Sequence, residues 1–337
     1  MAHVHPPDWI NPEPAAGYDL VVIGAGTAGL VVAAGAAGLG LGLKVALVEK
    51  SLMGGDCLNV GCVPSKCLIR SSRVVADMAA AAPFGIQPPE AIQVDFAAVM
   101  ERMRKIRAGI SHHDSAERFR SMGIDVFLGA AQFVDGETIA VDNRNLRFKK
   151  AVILQTTNPR IYAAGDICMN WKFTHAADAA ARIVIKNTLF APFGLGRSKL
   201  SSLVMPWVTY TDPEIAHVGL YEDEAQAQGL NTNIIKIPFA TVDRALADGE
   251  PDGFLKILHP QGSDKILGAT IVARHAGEMI SEITTAMVTQ QGLSALSGVI
   301  HPYPTQAEAI KKAADTYRRT LLTPRTQMFL KFLTKLS

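Results

Sequence analysis

The 337-residue chain predicts an α/β fold: a parallel βαβ layer on the N-terminal side, followed by a separate α+β region. Three observations predict it. Two apolar β-type runs between residues 19 and 49 flank a glycine cluster and an Ala/Gly-rich stretch. Another strand-type run, residues 149–153, is followed at residues 165–166 by a Gly-Asp turn. From Pro206 onward, strand-like runs are followed by helical patterns. A hydrophobic content of 48% supplies cores for about two domains, the number the length suggests.

Residues 1–17 are rich in proline and polar groups and read as a disordered lead-in, not a signal peptide. The first strand, residues 19–23, runs straight into Gly24-Ala25-Gly26-Thr27-Ala28-Gly29. A helix follows, and then a second strand over residues 44–49. Residues 20–48 carry one charge, Lys44, and are long enough to span a bilayer. Strand, glycine turn, helix and strand account for them better, as a buried βαβ unit. In this context the G-x-G-x-x-G is a dinucleotide signature. Gly24 permits the tight turn, Gly26 lets the backbone approach a pyrophosphate, and Gly29 lets helix and strand pack closely. The helix start, with Thr27 and Ala28, then faces the phosphates. Glu49, at the end of the second strand with Lys50 beside it, is placed to accept hydrogen bonds from a ribose diol. The motif alone does not separate FAD from NAD.

The next segment is Gly54-Gly55-Asp56-Cys57-Leu58-Asn59-Val60-Gly61-Cys62-Val63-Pro64-Ser65-Lys66. Pro64 suits a helix start, because the first turn needs no N–H and the ring fixes φ. That places Cys62 just before a helix N-terminus, whose partial positive charge favours a thiolate. Cys57 and Cys62 read as a redox pair. Zinc would ask for paired Cys-x-x-Cys spacing, which Cys67 and Cys168 do not supply, so no metal site is expected. Those two cysteines read as small buried residues. The basic stretch over residues 101–107 reads as an exposed helix face, and His112-His113-Asp114 as its solvated end.

The thirteen-residue segment resembles the redox-active disulfide motif of the class I flavoprotein disulfide reductases, a family that includes glutathione reductase, dihydrolipoamide dehydrogenase and mercuric reductase. Its Gly-Gly-Asp-Cys form is most similar to the mercuric-reductase-like branch. Residues 157–166, ending in Ala164-Gly165-Asp166, resemble the second flavin motif of the same family. The resemblance runs from about Tyr18 to near Thr323. It implies a Rossmann-like FAD-binding domain in two parts, residues 18–153 and 154–200, and an α+β dimerisation domain over residues 201–337. Asp166, beside Gly165, would hold the ribityl chain, and His175 and Ala176 would begin the helix that points at the flavin. Gly55, Asp56 and Ala130 join the implied cofactor contacts. Cys62 would be the flavin-side thiol and Cys57 the exchange thiol. Lys66 would stand beside the flavin N5 and stabilise negative charge on the reduced ring. Residues 38–43 read as a lengthened loop away from the ligand.

The same resemblance implies a second βαβ domain for NADPH or NADH, inserted between the halves of the FAD domain. Here the strand at residues 149–153 runs directly into residues 154–158, and no second G-x-G-x-x-G with its acid appears. The NAD(P)H domain is therefore expected to be missing at the 153/154 junction. Specific NAD(P)H binding and NAD(P)H-driven turnover are not expected of this chain.

In the C-terminal region, residues 207–220 resemble the opening of the family's interface domain, which implies a homodimer. Strands are expected at residues 233–239, 253–258 and 266–273. Helices are expected at residues 276–291, 293–299 and 305–319. In His301-Pro302-Tyr303-Pro304-Thr305-Gln306-Ala307-Glu308, Tyr303 stands where most of the family has a base histidine, while the orienting Glu308 is retained. A phenol of pKa near 10 is a poor base at neutral pH but a good hydrogen-bond donor. The strict mercuric reductase pattern also has C-terminal and N-terminal cysteine pairs, which this chain lacks, so Hg(II) and an organic disulfide both stay open as acceptors.

A net charge of +2 with mixed signs gives no argument for nucleic acid or an acidic membrane surface, and a cytoplasmic protein is expected. The reading is an FAD-dependent oxidoreductase that passes electrons from flavin to a Cys57–Cys62 disulfide and on to a thiol, disulfide or metal-ion acceptor. The alternative is a catalytically incomplete FAD-binding homodimer acting as a scaffold or redox sensor.

Overall fold

The computed structural model describes residues 2–153, 158 and 160–334. It forms two compact units, Met1–Leu203 and Val204–Ser337. Leu154, Gln155, Thr156, Thr157 and Pro159, part of the expected junction and second flavin motif, lie outside the described residues.

The first unit is built in chain order from β1 (Tyr18–Ile23), α1 (Thr27–Gly38), β2 (Val45–Glu49), α2 (Gly55–Asn59), α3 (Cys62–Ala79), α4 (Phe96–Ser111), α5 (Ala116–Ser121), β3 (Asp125–Leu128), β4 (Ala131–Phe133), β5 (Thr138–Val141), β6 (Arg144–Ile153), β7 (Ile161–Ala163) and α6 (Thr174–Leu189). A parallel layer runs β3-β2-β1-β6-β7. Its centre is β1, where Leu20, Val21 and Val22 are fully buried, as a strand covered on both faces requires.

The strand expected at residues 149–153 is longer than its apolar end. Arg144 to Arg147 pair antiparallel with β5, while Phe148 to Val152 pair parallel with β1. In the first part, buried Leu146 and Phe148 alternate with exposed Asn145, Arg147 and Lys149, the period of a one-faced strand. α1 is small-residue-rich because α6 lies against it: a Cβ on Gly35 would come within 2.5 Å of Ile185 Cδ1. α3 begins at Cys62 itself, not after it, and Pro64 sits at the third helical position, where an N–H is still dispensable.

The lead-in is not disordered. Val4 is 1% exposed. Its carbonyl accepts from Met53 N (3.0 Å), and that of His3 from Ala116 N (3.1 Å). Trp9 Nε1 donates to the Val126 carbonyl, and Asn11 exchanges two hydrogen bonds with the Leu128 backbone. Residues 2–17 form a strap along β3 and the loops at the end of β2. Composition suggested disorder because the strap is held by backbone bonds and a few anchors, which leave no period.

The second unit contains β8 (Pro206–Thr209), β9 (Glu214–Gly219), α7 (Glu222–Ala227), β10 (Thr232–Pro238), α8 (Asp243–Ala247), β11 (Phe254–Pro260), β12 (Gly268–Ala273), α9 (Ala276–Val288), α10 (Leu293–Ser297), α11 (Glu308–Thr320) and α12 (Pro324–Leu333). Its sheet is antiparallel throughout, in the order β10-β11-β12-β9-β8. Leu255, Ile257 and Ile271 meet Ile280 and Ile283 of α9 and Ala313 and Tyr317 of α11 in one core. The buried residues of α11 (Ala309, Ile310, Ala313, Ala314, Tyr317) fall on one helical stripe.

This is the α/β layer followed by an α+β region that the sequence predicts. Among the described residues only one sheet is parallel, so a second βαβ nucleotide layer is absent from them. None of their helices is long and apolar enough to cross a membrane.

Candidate functional site: a glycine-lined cleft ending at two cysteines

β1 ends in a sharp turn. Gly24 has φ +94°, and its N–H donates to the Val48 carbonyl at 2.8 Å. A Cβ on Gly29 would lie 1.8 Å from the Gly24 carbonyl oxygen, so only glycine fits there. α1 starts at Thr27 without a side-chain cap, which leaves its first N–H groups for a ligand. Glu49 is 8% exposed and braces the turn from β2. Its Oε2 accepts from Ala25 N (2.6 Å) and its Oε1 from Ser51 N (2.8 Å).

Two adjoining cavities share Ile23, Gly24 and Ile167. The smaller, about 250 Å³, is walled by Glu49, Lys50, Gly129 and Ala131. The larger, about 400 Å³, runs past Gly26, Thr27, Ala28 and Gly29 to Cys57, Cys62, Gly165 and Asp166, with Asp56 also in its wall. Together they make an elongated cleft with an acid at one end, an uncapped helix start in the middle and two thiols at the other. Gly165 turns at φ +91° and leaves Asp166 exposed on the cleft wall.

Five residues expected at the ligand do not line the cleft. Gly55 acts from behind: a Cβ on it would lie 2.8 Å from Gly26 Cα, so the two loops touch through backbone. Ala130 lies between the wall residues Gly129 and Ala131. Lys66 is exposed one turn along α3 from Cys62, and its Nζ is 3.4 Å from Ser65 Oγ. His175 is exposed and stacks on Phe173 at 5.3 Å, and Ala176 is fully buried. At the start of α6 the wall is made by Thr174 and Ala177. Residues three apart share a helix face, and the intervening pair points elsewhere. Thr174 is not one of the motif positions. Helical spacing, counted from the start of α6, is the signal that finds it.

The cysteines are brought together by a tight loop. Val60 N and Gly61 N both donate to the Asp56 carbonyl, ending α2 and turning the chain into α3. A Cβ on Gly61 would fall 2.9 Å from that oxygen. Both cysteines are free thiols in this structure. Thr174 Oγ1 donates to Cys57 Sγ at 3.0 Å and lies 3.4 Å from Cys62 Sγ. Burial pushes the Cys57 thiol above its ordinary pKa; the Thr174 hydrogen bond opposes this, while Cys62 and the charge of Asp114 add to it.

Asp114 is not part of a solvated helix end. His112 and His113 are exposed, their rings 3.8 Å apart. Asp114 is half-buried against the redox loop, its Oδ2 3.0 Å from where a Cβ on Gly54 would lie. Burial raises its carboxyl pKa, against the lowering effect of Arg118 and His113.

In the second unit Tyr303 is 71% exposed. Its hydroxyl donates to Asp243 Oδ2 at 2.9 Å. Glu308 opens α11; its Oε1 is 3.4 Å from Lys312 Nζ, and its Oε2 is buried with no hydrogen-bond partner among the described residues. His301 Nε2 lies 2.8 Å from Glu282 Oε1.

Residues 18–153 match the family model for pyridine nucleotide-disulphide oxidoreductases, and residues 205–314 match the dimerisation domain of the same family. A dihydrolipoyl dehydrogenase of Bacillus subtilis is 26% identical over 467 aligned positions, covering 88% of this chain and 97% of that protein. Since 88% of this chain is about 297 residues, about 170 positions of that relative face no residue here. A mercuric reductase of Shewanella putrefaciens is 36% identical over 167 residues, 49% of this chain and 29% of that protein. Among solved structures, the HOCl-induced flavoprotein disulfide reductase RclA from Escherichia coli has the same fold: TM-score 0.75 at 17% identity, over 88% of this chain and 99% of that one. LpdA from Mycobacterium tuberculosis gives 0.76 at 16%, over 90% and 100%.

Proposed function

The chain belongs to the pyridine nucleotide-disulphide oxidoreductase family, and from that membership we propose that Cys57 and Cys62 are a redox pair serving a thiol, disulfide or metal-ion acceptor. FAD is the family's cofactor, and when bound it supplies two-electron transfer. The residues present fit it: Gly24 turns at a positive φ, Gly29 leaves no room for a side chain, and two adjoining cavities lead from Glu49 to the thiols. In this reading the α1 start holds the pyrophosphate, with Gly24, Gly26, Thr27, Ala28 and Gly29 around it. Glu49 and Lys50 take the ribose end, and Gly165 and Asp166 the ribityl end. Gly55, Asp56 and Ala130 shape the walls. Lys66, His175 and Ala176 keep their proposed places beside the flavin ring, Lys66 by swinging in from the surface.

The observation that carries the reading is the Thr174 hydroxyl within reach of both sulfurs, in the wall of the glycine-lined cleft. Two electrons and two protons convert the Cys57–Cys62 disulfide to two thiols. Cys57, as thiolate, then attacks an acceptor disulfide. One acceptor sulfur leaves and takes a proton, and Cys62 displaces the other as the intramolecular disulfide re-forms. A metal-ion acceptor would instead bind the thiolates and take the electrons from them.

The dimerisation-domain match supports a homodimer in which Tyr303 and Glu308 of one copy serve the cysteines of the other. On this proposal the chain comprises two FAD-domain parts, joined where the NAD(P)H domain is missing, and a dimerisation domain. The gap of about 170 positions favours a second reading of the whole chain, an FAD-binding homodimer that senses or scaffolds without NAD(P)H turnover.

The test is protein purified in air, denatured for FAD release and alkylated without reduction. FAD released together with blocked Cys57 and Cys62 supports the reading. Free thiols at both positions, in a sample never reduced, remove the redox pair. Anaerobic NADPH compared with dithionite separates the two readings: bleaching by both favours the enzyme, and bleaching by dithionite alone favours the sensor.

A further inference from the structure

The acid–base position of the second unit is wired to a different carboxylate from the one its sequence motif indicates. Tyr303 has two carboxylates near it. Glu308, five residues on, opens α11; it is engaged with Lys312, one turn further, and its buried Oε2 has no hydrogen-bond partner among the described residues. Asp243, sixty residues earlier at the start of α8, accepts the Tyr303 hydroxyl at 2.9 Å. Lys312 also donates to the carbonyl of Thr241, two residues before Asp243. One lysine thus ties the first turn of α11 to the chain that presents Asp243, and holds Glu308 back by charge while doing so.

We infer that Asp243, and not Glu308, is the positioning carboxylate for Tyr303. The inference rests on the proposed reading of Tyr303 as the side chain offered to the cysteine pair of a second copy. A phenol that gives its one proton to Asp243 has its direction fixed and turns its lone pairs outward. It then accepts a hydrogen bond from the Cys57 thiol of a second copy and orients that sulfur before its proton is lost and it attacks. The groups facing Tyr303 are the two carboxylates: the hydrogen bond and charge of Asp243 raise its pKa most, and the charge of Glu308 adds to this. Glu308 acts as an N-terminal charge on α11 and as the partner of Lys312.

The experiment is a tyrosinate absorbance titration of the FAD-loaded full chain. Subtracting the Tyr303→Phe curve in each background isolates Tyr303. Asp243→Asn should bring the Tyr303 midpoint down toward the ordinary value near 10, and Glu308→Gln should move it less. An unchanged midpoint in Asp243→Asn, or a larger fall in Glu308→Gln, overturns the inference. Asp243 is exposed, so Asp243→Asn should fold; circular dichroism and retained FAD verify it. Exchange with a small disulfide is then measured for both variants. If the inference holds, Asp243→Asn slows the reaction of the dithionite-reduced chain with that disulfide as much as Tyr303→Phe does, and Glu308→Gln slows it less. If Tyr303→Phe exchanges normally while the midpoint still falls in Asp243→Asn, the pairing stands and the acid–base reading of Tyr303 fails.

Discussion

Single atoms decide what the glycine turn can hold. Gly26 has one neighbour within 4 Å of its missing Cβ, Gly55 Cα at 3.9 Å, whereas Gly29 would strike the Gly24 carbonyl at 1.8 Å. Gly26→Val should therefore fold but lose FAD, its side chain filling the space where a pyrophosphate must approach. Gly29→Val should lower the melting temperature of the FAD-free protein itself. Thermal melts with and without added FAD check both. The thiols give a pH prediction. The Cys57 pKa is raised, so its alkylation by iodoacetamide should reach half-maximal rate above the ordinary thiol value of about 8.5. Thr174→Ala removes a lowering contact and should move that midpoint up. Asp114→Asn removes a raising charge and should move it down. A raised acid favours the fold while it is neutral, so the reduced protein should lose stability as pH climbs through the raised thiol pKa. A change in the opposite sense for either variant would contradict the assigned contacts. Glycines and cysteines were legible in the sequence because their chemistry is tied to their type and spacing. Thr174, Asp114 and Asp243 were not, because each reaches its partner only after a long excursion of chain.

Elements were legible where their period is strong. The strands at both ends of the first βαβ unit, and the apolar stripes of α9 and α11, fall within a few residues of expectation. The β4–β5–β6 meander was missed, because its residues are mixed in polarity and only one face is buried. The N-terminal strap was misread for the opposite reason: it has no period at all. Val4 is its apolar anchor, and its carbonyl holds Met53 immediately before the redox loop. Val4→Ala should cost about 1–3 kcal/mol, from two methyl groups and the space they leave. Removing residues 2–12 should do more than lower stability. Ser51 bonds to His5, and the Leu128 backbone to Asn11, so the residues beside Lys50 and Gly129 in the wall of the smaller cavity lose a support. FAD should dissociate faster from the shortened chain, measured by recovery of free-flavin fluorescence on dilution. An unchanged rate would reduce the strap to a structural role.

At the scale of the whole chain, the two matched regions leave residues 154–204 between them, and the aligned Bacillus subtilis relative carries about 170 further positions. The missing layer was legible as a motif that occurs once instead of twice. The partner subunit was legible only through resemblance, since nothing in composition or period marks an interface. Light scattering should give twice the 36.1 kDa chain mass; a monomer at micromolar concentration would remove the role assigned to Tyr303. NADPH should reduce the flavin several orders of magnitude more slowly than in a protein that binds nicotinamide, because hydride transfer needs a donor held within about 3–3.5 Å. The most direct measurement of the central claim, a flavin and a cysteine pair acting as one redox unit, is an anaerobic dithionite titration of air-oxidised protein against Cys57→Ser. The expected result is that the native chain takes up two electrons more per flavin than the variant. Equal uptake by the two, or a protein with no flavin to bleach, would contradict it.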